Sequence, residues 1–81
     1  MQATEPATAK SVRVTHGELV IVLADREVRV RWEDCSPRLA KATDEERAQA
    51  ELSPGGYGIH WPLIDEDLSI AGLLRPRDAS K

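Results

Sequence analysis

The stretch Glu18-Leu19-Val20-Ile21-Val22-Leu23-Ala24-Asp25-Arg26-Glu27-Val28-Arg29-Val30-Arg31-Trp32 decides the fold. Leu19–Leu23 is an unbroken apolar run of strand length, the pattern of a central strand covered on both faces. Asp25-Arg26 reads as a turn. Val28, Val30 and Trp32 then point one way while Glu27, Arg29, Arg31 and Glu33 point the other, as in a half-buried strand. Upstream, Val12-Arg13-Val14-Thr15 also alternates, and His16-Gly17 links it to the apolar run as a hairpin turn. These segments predict a three-stranded antiparallel meander.

The signals then change period. Ser36-Pro37 reads as the N-cap and first position of a helix, because serine accepts from free N–H groups and proline has none to leave unpaired. Thr43-Asp44-Glu45-Glu46 is a capping box. Two short helices are expected, over about 37–42 and 44–50, packed by a thin stripe of Leu39, Ala40, Ala42, Ala48, Ala50 and Leu52. Ser53-Pro54-Gly55-Gly56 breaks the chain. Tyr57-Gly58-Ile59-His60-Trp61 reads as a short strand that Pro62 ends, with Tyr57, Ile59 and Trp61 anchoring it on one face. Asp65-Glu66-Asp67 reads as an acidic turn, and Ser69 caps a last short helix carrying Ile70, Leu73 and Leu74. The expected class is α+β: one domain over 11–74, with disordered tails at 1–10 and 75–81.

Length and composition narrow the possibilities. With 81 residues there is room for one core, and a chain this short buries only about 60% of its unfolded surface. Phenylalanine is absent, so the aromatic core falls to Trp32, Trp61 and Tyr57. No apolar run approaches the roughly 20 residues of a membrane-crossing helix. No basic segment followed by an apolar stretch opens the chain, so a cytoplasmic setting is expected. The one cysteine, Cys35, allows no internal disulfide. The net charge of −3 argues against nonspecific attraction to nucleic acid.

Few residues carry a chemical pattern. Cys35 and a histidine are the ingredients of a nucleophile and its base, but their spacing matches no catalytic signature and reads as structural. His60, Asp65 and Asp67 are near enough in sequence to hold a divalent ion, yet they lack paired-ligand spacing, and the carboxylates also serve a helix start. Gly55-Gly56-Tyr57-Gly58 matches neither phosphate-binding glycine pattern and reads as a tight connection. Arg13, Arg29 and Arg31 form a candidate basic sheet face. It has no exposed aromatics on which bases would stack, and Glu18, Glu27 and Glu33 are available as partners.

The run Gly55-Gly56-Tyr57-Gly58-Ile59-His60-Trp61-Pro62-Leu63-Ile64-Asp65-Glu66-Asp67-Leu68-Ser69-Ile70-Ala71-Gly72-Leu73-Leu74 resembles the C-terminal signature of a small bacterial family, domain of unknown function 2442. Ser36-Pro37-Arg38-Leu39, Glu46-Arg47 and residues 19–32 resemble its other segments, so the resemblance covers about 12–74. Two positions depart from it. The family usually has Asp-Gly where this chain has Asp25-Arg26, and a large aromatic where it has Ala50. The resemblance implies a small α+β domain with no established activity or cofactor. Family genes often neighbour those of domain of unknown function 4160, an arrangement suggesting a toxin–antitoxin-like pair. Some members carry a helix-turn-helix domain; none follows Leu74 here, so DNA binding by that route is not expected.

The resulting expectation is a protein-interaction module without catalysis or cofactor. Its candidate surface is His60, Asp65, Glu66 and Asp67. Its partner would be another small protein encoded nearby, and an unpaired sheet edge also allows a homodimer. Two alternatives remain: a nucleic-acid-associated regulator using Arg13, Arg29 and Arg31, and a small metal-dependent or hydrolytic enzyme at His60.

Overall fold

The computed structural model describes residues 7–74. Of the tails expected at 1–10 and 75–81, residues 1–6 and 75–81 lie outside the described residues. Two three-stranded antiparallel sheets, each a meander in chain order, are joined by short helices. The α+β class and the first meander are as the sequence predicts. Strands β1 (Ser11–Val14), β2 (Glu18–Val22) and β3 (Glu27–Arg31) form the first sheet. Its register sets Val12 and Val28 beside Ile21, and Val14 and Val30 beside Leu19. Directly paired residues share a face, so these six side chains make one apolar surface. Leu19 and Ile21 on it are wholly buried.

The other face of this sheet differs from expectation. Ser11, Arg13, Glu27, Arg29 and Arg31 lie on it and are all exposed, so no layer of the described residues packs over them. Val20 is nevertheless wholly buried. Its direct neighbours on either side are Arg13 and Arg29, whose aliphatic stems can shield it while their charged ends stay in water.

The strand expected to run through Glu33 stops at Arg31, and Trp32–Cys35 forms an unexpected helix, α1. Trp32 keeps the inward direction of Val28 and Val30 and is buried. Glu33 and Asp34 occupy the first turn of α1, where carboxylates suit the positive end of the helix. Helices α2 (Pro37–Ala40) and α3 (Asp44–Ala48) begin at the expected caps. Ser36 Oγ accepts from the Leu39 N–H at 3.1 Å. In the capping box, Thr43 Oγ1 accepts from the Glu46 N–H and the Glu46 carboxylate accepts from the Thr43 N–H.

The second sheet was only partly foreseen. It consists of β4 (Glu51–Leu52), β5 (Gly58–Trp61) and β6 (Glu66–Ser69). Glu66 and Asp67, expected in a turn, are in a strand; the turn is 62–65, with Asp65 at φ 53°. Aspartate tolerates this left-handed conformation better than most residues. Tyr57 is not an anchor. Gly55 and Gly56 both take positive φ, which delays the strand to Gly58 and leaves Tyr57 53% exposed. The last helix, α4 (Ile70–Leu73), starts as expected, with Ser69 Oγ accepting from the Gly72 N–H at 2.9 Å.

Residues 7–10, assigned to a tail by sequence, are tied to the domain. Ala9 is 7% exposed and donates its N–H to the Gly56 carbonyl at 2.8 Å. A side chain at Gly56 would collide with the Ala9 backbone, so glycine is required there for close approach as well as for its φ.

One core joins both sheets. At its centre Trp32 and Trp61 meet edge to face, 6.4 Å between ring centroids at 83°. Trp32 Nε1 donates to the Thr15 carbonyl at 3.0 Å and Trp61 Nε1 to the Arg47 carbonyl at 3.1 Å. The Arg47 guanidinium lies 5.3 Å from the Trp32 ring centre. It also donates to the Leu39 and Ala40 carbonyls at the end of α2, both at 3.0 Å. Arg47→Met, which keeps the stem and removes those donors, should lower unfolding free energy by about 2 kcal/mol. Trp61→Ala should cost about 4 kcal/mol. Urea denaturation followed by tryptophan fluorescence for the first and by circular dichroism for the second checks both values.

Candidate functional site

Strand pairing decides which site candidates meet. His60 lies between Glu51 on β4 and Asp67 on β6. These three, with Gly58 and Ser69, occupy the outer face of the second sheet, while Ile59 and Trp61 point into the core. His60 Nδ1 is 2.7 Å from Asp67 Oδ1. The histidine side chain is 40% exposed and the carboxylate more so. Beside this pair is a hollow of about 340 Å³ lined by Ser53, Tyr57, Gly58, Ile59, His60, Asp67, Leu68 and Ser69.

Only part of the predicted acidic rim assembles. Glu66 pairs with Trp61 and so belongs to the opposite face from His60. Asp65 sits in the turn, and its carbonyl, with that of Ile64, accepts from Arg38 Nη1 at 3.2 and 3.1 Å. Arg38 thus ties α2 to the β5–β6 turn. Among the described residues, no group of three or more His, Cys, Asp and Glu side chains is placed to hold a metal ion. Cys35 lines a different, smaller hollow of about 180 Å³ with Leu68, Ser69, Gly72 and Leu73, so it does not share the hollow of His60.

Sequence reasoning missed Ser53, Tyr57 and Ser69 as lining residues. The signal for Tyr57 was present: Gly55, Gly56 and Gly58 surround it and offer no side chain to cover its ring. Gly58 also keeps the hollow open, since a Cβ there would press on the Leu68 carbonyl at 3.2 Å and approach Ser53 Oγ. Ser53 Oγ accepts from the Gly58 N–H at 3.0 Å, which fixes one wall.

The arginine face is electrostatically compensated. Arg13 forks onto Glu27 at 3.2 and 3.4 Å. Arg29 reaches Glu18 at 3.4 Å and Glu27 at 3.9 Å. Arg31 lies 3.6 Å from Glu33 and 3.7 Å from Asp34. Three cations thus face four carboxylates, which weakens the case for a phosphate-binding surface. The hydrogen bond and charge of Arg13, helped by the charge of Arg29, hold the Glu27 carboxyl below its ordinary 4.5.

The architecture and the outer groove define a small α+β domain with a concave face. The chain belongs to the family described as Protein of unknown function (DUF2442), whose model matches residues 9–79. It is similar to the crystal structure of a protein of unknown function from Rhodospirillum rubrum ATCC 11170. The two share 25% sequence identity over 85% of this chain and 86% of that one, with a TM-score of 0.74. No curated protein matches the chain.

The Glu27 shift yields a prediction with a definite sign. A carboxyl whose folded pKa is depressed contributes stability above its unfolded pKa and loses it as pH falls through the folded one. Carbon-detected NMR titration should place Glu27 below 4.5, and Arg13→Ala should move it upward. The stability gap between the two proteins should narrow as pH falls through the folded pKa of Glu27, to what the lost cover of Val20 by the Arg13 stem leaves.

Proposed function

We propose that this chain is a non-catalytic binding module that holds a partner protein on the outer face of its second sheet. The groove beside Tyr57 carries this reading. It is concave, is lined on the outer face by Tyr57, Gly58 and Ser69, and is edged by the His60–Asp67 pair. Tyr57 is one of two large hydrophobic residues left exposed among the described residues. A half-exposed tyrosine beside a hollow is a common anchor in protein recognition, because its ring buries area at little entropic cost while its hydroxyl stays solvated. The family resemblance extends the proposal to a partner encoded nearby, in a toxin–antitoxin-like pair. It also includes a cytoplasmic setting, in keeping with a single cysteine.

One observation favours a second reading. A carboxylate on Nδ1 of a histidine leaves Nε2 to exchange protons, the arrangement of a general base. Under that reading His60 would serve a small hydrolase, with substrate in the same groove. The third alternative, a nucleic-acid regulator, has less support because Arg13, Arg29 and Arg31 are matched by carboxylates.

The test is co-expression with the neighbouring gene products, followed by affinity measurement on the complex that forms. Tyr57→Ala and His60→Ala should each weaken binding by about tenfold or more, with little change in urea midpoint, since both side chains are substantially exposed. Unchanged affinity in both variants would remove the groove from the interface. Hydrolysis of a general ester or phosphoester panel that His60→Gln abolishes would favour the enzymatic reading instead.

A further inference from the structure

The edge of the second sheet adds a specific mode of recognition. β6 is an outermost strand. The Ile70 N–H donates to the Tyr57 carbonyl at 2.8 Å, extending the ladder that pairs Leu68 with Ile59 and Glu66 with Trp61. Backbone groups alternate in direction along an antiparallel strand. Leu68 and Glu66 therefore turn their N–H and C=O toward β5, and Asp67 turns its own away from the sheet. Outside the strand ladders, no backbone hydrogen bond among the described residues reaches the Asp67 backbone.

The two hollows flank this strand. Leu68 and Ser69 line both the larger hollow, with Tyr57 and His60, and the smaller one, with Cys35 and Leu73. Neither hollow is lined by β1 or β3. A strand laid along β6 would send alternate side chains to opposite faces of the sheet, one set toward each hollow.

We propose that β6 is a docking edge that accepts an extended, basic segment of a partner protein as a fourth strand of the second sheet. This deepens the binding-module reading and rests on it. The charge of the edge selects the occupant. Asp67 on the edge and Asp65 in the turn before it make the His60 side of the edge and its approach acidic, and like charges set opposite one another across strands are destabilising. A second copy pairing β6 with β6 would meet that repulsion, whereas lysine or arginine on the incoming strand would relieve it. The side facing His60 and Asp67 takes the basic residues. The side facing Cys35, Leu68 and Leu73 takes small apolar ones.

The probe is a capped peptide of alternating lysine and valine, added to the full chain, with a glutamate–valine peptide as control. Amide NMR and hydrogen exchange read the contact. The lysine–valine peptide should slow exchange of the Asp67 amide by about tenfold or more at saturation and leave the β1 and β3 edges unchanged. The control should not bind, and Asp67→Lys should reverse the preference between the two. The edge proposal is overturned if Asp67 exchange is unaffected or if both peptides bind alike. A neighbouring gene product that loses affinity on Tyr57→Ala yet leaves the Asp67 amide unprotected would also overturn it, while leaving the binding-module reading standing.

Discussion

The contact between Trp32 and Trp61 organises the molecule. One ring enters from the end of the first sheet and the other from the middle strand of the second. Their edge-to-face approach brings the two sheets into a single core. Aromatic pairs in this geometry add about 1 kcal/mol beyond the area they bury. Both indole N–H groups find backbone carbonyls, so burial leaves no donor unpaired. Arg47 completes the junction by facing one ring and binding the last carbonyls of α2. With no phenylalanine in the chain and Tyr57 exposed, no other aromatic pair stands in the core to take over this role.

The junction determines where the groove lies. Once Ile59 and Trp61 are committed inward, strand alternation forces His60 outward, and pairing puts Asp67 beside it. The glycines then remove what would otherwise cover this face. Gly55 and Gly56 bend the chain so that Tyr57 falls outside the strand, and Gly58 leaves a gap where a side chain would stand. The same Gly56 lets residues 7–10 dock. Folding and presentation of the groove thus share residues, and a folding account of the C-terminal signature is compatible with a functional one.

Much of this was legible in the sequence, for identifiable reasons. The first sheet declared itself by a period of two over enough residues to count, and the helix starts by capping chemistry at Ser36 and Thr43. Helix α1 did not, because Trp32 continues the inward alternation of β3 and only the backbone changes course. Strand β4 is two residues long and has no periodicity to read. Glu66-Asp67 has turn-like composition, and its strand conformation comes from pairing with β5, a tertiary effect. The site was half legible for the same reason. His60 and Asp67 were both named, but separating Asp67 from Glu66 requires knowing that they lie in a strand, where adjacent residues face opposite ways. The size and alternation of Tyr57 point to the core, whereas the flanking glycines leave its ring uncovered, and the glycines decide.

The central claim is that both sheets form one cooperative unit, held at the tryptophan junction, with the groove on its rigid outer face. Native-state hydrogen exchange as a function of denaturant tests it most directly. The account predicts that the most protected amides of β2 and β5 open with the same free energy, equal to that of global unfolding. If β5 and β6 opened at distinctly lower free energy while β2 stayed protected, the sheets would be separate units, and the junction would not hold the groove in place.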